Sequence, residues 1–119
     1  MKQADAICTA WARAAGPTAR PKSYAAVSAY VKRTLPLYAD ALRKLEALDP
    51  PTADAPTVHQ WLAADRQVAT AMRNLGVAAD RRDFPSATAA AARIELAGSA
   101  GRRAASRLGL QVCGRLNAR

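Results

Sequence analysis

The apolar residues Tyr24, Val27, Val31, Leu35, Tyr38, Leu42 and Leu45 follow one another at spacings of three and four. Nothing else in the chain limits its fold as strongly. That rhythm places every one of these side chains on a single stripe of a helix, and such a stripe is buried against other helices. One helix cannot cover its own apolar stripe, so the remaining residues must supply the partners.

Three more segments can do so. The first covers about residues 2–15, with Ala4, Ile7, Cys8, Trp11, Ala14 and Ala15 on one face, and Gly16-Pro17 ends it. The second carries the stripe over about residues 24–48, with Ser23 as N-cap and Asp49-Pro50-Pro51 as its stop. Pro36 inside it removes one backbone hydrogen bond and should bend the helix. The third covers about residues 57–80, with Thr57 and Gln60 as a capping box and Trp61, Val68, Met72, Leu75 and Ala79 facing inward. The fourth starts after Asp83 with Pro85 in its first turn, and Ala87, Ala91, Ile94, Gly98, Gly101, Ala105 and Leu108 form its seam. Gly109 followed by Leu110 reads as a helix-ending glycine with its hydrophobic contact.

Alanine abounds and β-branched residues are sparse, which favours helix over sheet. The connections are short, so successive helices are antiparallel. The expected fold is all-α: an up-down-up-down four-helix bundle over residues 1–114, followed by a basic tail at 115–119. The first helix, at about 20 Å, is little more than half as long as the others. Residues 16–22 must therefore cover the far end of the bundle or leave it open.

No apolar run approaches the roughly 20 residues of a transmembrane helix. Residues 2–15 do not form a signal peptide, so export would require a leader removed ahead of Met1. The net charge is +9, but it is uneven. In residues 51–95, Arg66, Arg73, Arg81, Arg82 and Arg93 balance Asp54, Asp65, Asp80, Asp83 and Glu95. Residues 96–119 hold Arg102, Arg103, Arg107, Arg115 and Arg119 and no acid. The positive field should gather there.

Five stretches carry a resemblance. They are Ala4-Asp5-Ala6-Ile7-Cys8, Thr34-Leu35-Pro36-Leu37-Tyr38, Leu48-Asp49-Pro50-Pro51, Asp65-Arg66-Gln67 and Leu108-Gly109-Leu110-Gln111-Val112-Cys113-Gly114. On them the chain resembles a group of small uncharacterised exported proteins and lipoproteins of high-GC actinobacteria, over most of residues 4–114. The resemblance implies export, often with lipid anchoring, and a helical bundle closed by a disulfide. It implies no activity. The chain departs from the pattern at Arg82, where similar chains tend to have glycine before the aspartate; a turn that needs positive φ would be strained there.

Cys8 and Cys113 have no CxxC, haem or zinc spacing. They could be redox-active thiols or ligands, but a structural disulfide is the expected reading, because the start of the first helix and the end of the fourth lie at the same end of the bundle. His59, alone in the first turn of a surface helix, is read as solvated, and no metal or cofactor is expected. Asp65 lies close to the inward stripe and needs a partner, with Arg102 or Arg103 first and Arg13 second. A binding-site anion is the alternative reading of Asp65. Tyr24, Tyr30, Tyr38 and Phe84 are read as packing, against a ligand pocket at the short-helix end. Ser28, Ser86, Ser99 and Ser106 have no partnering base, and no catalytic residue is assigned. Arg102, Arg103, Arg107, Arg115 and Arg119 form a candidate polyanion patch. The chain is expected to be a non-enzymatic extracytoplasmic module for a cell-envelope polyanion or another protein, without sequence-specific nucleic-acid binding. The alternative is a basic protein that binds nucleic acid or other polyanions.

Overall fold

The computed structural model describes residues 2–16 and 21–115. Four helices run antiparallel in sequence order: α1 (Lys2–Ala15), α2 (Tyr24–Glu46), α3 (Ala55–Asp80) and α4 (Phe84–Arg107). The bundle measures 45 × 24 × 24 Å. Short 3-10 turns at Thr52–Asp54 and Cys113–Arg115 precede α3 and follow α4.

The ends of the helices follow from local chemistry. The Ser23 hydroxyl accepts from the Ala26 N–H at the start of α2. The Asp83 carboxylate accepts from the Ser86 N–H at the start of α4, with Pro85 in the first turn. The start of α3 departs from expectation. The 3-10 turn leads straight into a helix that opens at Ala55, so Thr57 is already inside it and the Thr57/Gln60 capping box is not the terminus. At the end of α4, Gly109 has φ +77°, its N–H bonds to the Ser106 carbonyl, and the Leu110 N–H reaches back to Ala105. Leu110 is buried beneath this turn. These bonds close α4 with a Schellman motif. The same motif closes α3, where the Arg82 N–H bonds to Ala79 and the Asp83 N–H to Ala78. There the left-handed position, which favours glycine, is held by Arg82 at φ 52°.

α2 continues through Pro36 without interruption. Pro36 is exposed, so the Lys32 carbonyl that loses its partner lies on the solvent side. Of the α2 stripe, Val31, Tyr38, Leu42 and Leu45 are buried, while Tyr24, Val27 and Leu35 are half-buried. The three half-buried residues lie toward the end where α1 has stopped. The connection expected to cover that end or leave it open includes residues 17–20, which lie outside the described residues.

Of the expected α4 seam, Gly101 and Ala105 are buried and Ala87, Ile94, Gly98 and Leu108 half-buried, but Ala91 is exposed; Ala90, Ala97 and Ala104 are buried as well. These three are seven residues apart. On α3 the buried Ala64, Ala71 and Ala78 are also seven apart. The antiparallel course of the two helices sets these series side by side, at levels fixed by the Arg107 bond to Gln60 and by Gly101 lying against Ala64. Small residues along both faces let α3 and α4 approach closely. Gly76 serves the opposite face of α3, where a Cβ would stand 2.9 Å from Val31 Cγ1.

Two apolar clusters make up the core. Ala4, Cys8, Leu42, Leu45, Trp61, Leu62, Ala105 and Leu110 fill the end holding the cysteines. Trp11, Ala15, Tyr38, Ala41, Val68, Met72 and Ala97 fill the middle.

Candidate functional site

The two termini of the bundle meet at one end. Cys8 of α1 and Cys113, just beyond α4, form a disulfide with Cα atoms 5.5 Å apart, 105 residues apart in sequence. Both cysteines are buried. One turn before Cys8, Asp5 performs a second closure that the sequence reading passed over. Its carboxylate accepts from three backbone N–H groups of the opposite terminus: Gln111 at 2.9 Å, Val112 at 2.9 Å and Cys113 at 3.1 Å. Burial alone would raise the Asp5 carboxyl, but the N–H bonds from Cys113, Gln111 and Val112 prevail and hold it below the usual carboxylate range. The signal for this role was an acid one turn before a cysteine whose partner follows a helix end. The Cys113 turn exposes backbone donors that need an acceptor.

Asp65 is half-buried, as expected of a carboxylate near the stripe, but the arginines assigned to it are elsewhere. The Arg103 guanidinium donates to the Ser99 hydroxyl, and Arg13 is exposed on α1. Arg102 lies beside Gly98, with its Nη1 3.2 Å from where a Cβ there would stand. Among the described residues, no ion pair includes Asp65. The physical reason is the small-residue packing. With Gly101 facing Asp65, a Cβ at 101 would stand only 2.8 Å from Asp65 Oδ1, so the carboxylate presses against bare α4 backbone where an arginine side chain has no room. Its polar neighbours are instead the Tyr38 hydroxyl and the Trp61 indole, which favour its charged form. Burial outweighs both and pushes the Asp65 carboxyl up to about 7. Burial, and then the Asp65 charge, pushes the Tyr38 hydroxyl up in turn. Asp65, Tyr38, Trp11, Cys8, Ala41, Leu42 and Leu45 line a cavity of about 20 Å³.

The aromatic residues do not gather into one site. Tyr38 stacks edge-on against Trp11, with ring centroids 5.7 Å apart, deep in the core. Tyr30 lies under the Arg33 guanidinium, which also donates to the Ala15 carbonyl at the end of α1. Phe84 is 68% exposed at the start of α4. Ser28 is buried and donates to Asp80, itself 3.8 Å from Lys32 Nζ. Ser86 bonds to Asp83, and His59 is exposed. Among the described residues, no cluster of three or more His, Cys, Asp and Glu could hold a metal ion.

The basic surface runs along the last turns of α4. Arg103 and Arg107 are exposed, Arg102 is half-buried and Arg115 is exposed in the terminal 3-10 turn. Arg107 donates to the Gln60 amide oxygen at 3.1 Å. Arg103 and Arg107 are thus held by neutral partners and keep their charge uncompensated. Arg119 lies outside the described residues.

Among known proteins, no family model, no curated protein and no solved structure matches the chain. The fold and the paired termini define the class: a small antiparallel four-helix bundle closed end to end by a disulfide. Among the described residues, no helix is long and apolar enough to cross a membrane.

Proposed function

We propose that the chain is a non-enzymatic binding or interaction module that works outside the cytoplasm. The observation that carries this reading is the Cys8–Cys113 disulfide, buried in the core and backed by the Asp5 clamp on the same segment. Disulfides of this structural kind persist in oxidising compartments. The resemblance to small exported actinobacterial proteins and lipoproteins supports the same compartment, and lipid anchoring belongs to the proposal on that ground. The test is fractionation of cells expressing the full natural gene, with cytosolic and envelope markers. The chain should appear in the envelope or the medium; recovery in the cytosol alone would overturn the reading.

The acid-free run from residue 96 onward favours a polyanion of the cell envelope as the partner. Arg103 and Arg107 offer uncompensated charge on one face of α4, four residues apart. Exposed arginines meet a polyanion through its charge alone, so binding should be Coulombic and indifferent to sequence. Binding of an anionic polymer should weaken steeply as salt rises, and Arg103→Gln with Arg107→Gln should weaken it further with the fold intact. Unchanged binding in that double variant would reduce the patch to a solubilising surface. Salt-resistant preference for one DNA sequence would replace the envelope reading with the nucleic-acid one.

A further inference from the structure

Trp11 is 6% exposed, and its indole N–H has no hydrogen-bond partner among the described residues. A buried donor left unpaired is costly, so such groups are nearly always satisfied by protein or by ordered water. Trp11 lines the cavity of about 20 Å³ that Asp65 and Tyr38 also line. That space accommodates about one water molecule, for which at least two polar partners are needed. The partners here are complementary. The indole N–H can only donate, the Asp65 carboxylate accepts, and the Tyr38 hydroxyl does either. The remaining walls, from Ala41, Leu42, Leu45 and the buried disulfide at Cys8, are apolar and confine the occupant to these polar groups. A metal cation does not suit the site, because the indole donor would face it.

We propose that this cavity is a binding site for a single ordered water that accepts from the Trp11 indole N–H and donates to the Asp65 carboxylate. The water ties α1 to α3 through the core, directly beside the disulfide. It gives Asp65 the polar contact that its missing arginine would have supplied. It also accounts for a carboxylate at a position where the helix stripe calls for an apolar residue.

Oxygen-17 relaxation dispersion on the oxidised protein counts long-lived waters without interference from exchanging protons. Trp11→Phe keeps an aromatic ring and removes the donor, so it should lower that count by one. An unchanged count would overturn the proposal. Should the variant fail to fold, a high-resolution crystal structure of the unaltered chain decides. A solvent peak within hydrogen-bond distance of both Trp11 Nε1 and an Asp65 oxygen supports the site. An indole N–H seated on the Tyr38 ring, with no such peak, overturns it.

Discussion

Asp65 and Arg82 both depart from the residue type their surroundings prefer, and each departure has a measurable consequence. Asp65 binds its proton more tightly in the folded chain than in the unfolded one, since burial lifts it from the ordinary 3.8 to about 7. Charging it therefore opposes folding. Stability from this group is fully present below the unfolded value and is lost as pH rises toward about 7. The groups facing it are Tyr38 from α2, Trp61 from α3 and Gly101 from α4, with Trp11 of α1 across the cavity; none of them is a cation. Asp65→Asn should flatten the stability profile between about pH 4 and 7, read by denaturant unfolding. An unaltered slope would place the titration elsewhere. Asp5 acts in the opposite sense: its carboxyl is held low, and its contribution disappears only as pH falls below the ordinary carboxylate range. Arg82→Gly should stabilise the chain by about 1 kcal/mol, because glycine removes the left-handed penalty at the end of α3. A lower melting temperature in that variant would show that Arg82 is not strained. Arg82 drew notice only through the resemblance, in which similar chains tend to have glycine before the aspartate. The partner of Asp65 was not legible, since helical spacing says that a residue faces inward but not what stands opposite.

The helices were readable in proportion to the size of their side chains. α2 declared its face through tyrosine, valine and leucine, and the expected stripe largely matches the residues it buries. α4 did not, because alanine fits a core seam, a helix–helix contact or an exposed surface equally well. The reading placed Ala105 inward correctly but also Ala91, which is exposed, and it passed over Ala90, Ala97 and Ala104; the matched series Ala64, Ala71, Ala78 on α3 and Ala90, Ala97, Ala104 on α4 locates the contact. The distinction is open to test by adding volume. Ala97→Leu should cost about 1–3 kcal/mol, because the side chain must displace α3 from close contact. Ala91→Leu, on the exposed face, should change stability by less than about 0.5 kcal/mol. Calorimetry on the two variants separates these outcomes, and equal effects would refute the placement of Ala97 in the α3 contact and of Ala91 outside it. The capping box at Thr57 failed for a related reason: the 3-10 turn at Thr52–Asp54 extends α3 by two residues at its start, and nothing in the serine/threonine pattern signals it.

For the molecule as a whole, the decisive constraint is that its first helix is tied to the turn that follows its last. A bundle of 119 residues has a modest core, much of it alanine, and small chains commonly need a staple. Here the staple is double: a covalent bond from Cys8 to Cys113, and a carboxylate on α1 holding three N–H groups of the terminal turn. In the chain-entropy model, closing a loop this long restricts the unfolded chain by about 4–5 kcal/mol. Reduction should therefore lower the unfolding midpoint markedly, leaving Asp5 as the remaining tie between the ends. Whether the pair is joined in the living cell decides the account most directly. The measurement is intact mass after the natural protein is isolated without reductant and alkylated in denaturant. The account predicts no alkyl group until the protein is reduced and two thereafter, one on each of its two cysteines. Two alkylated cysteines before reduction would contradict the closed bundle and the oxidising compartment together.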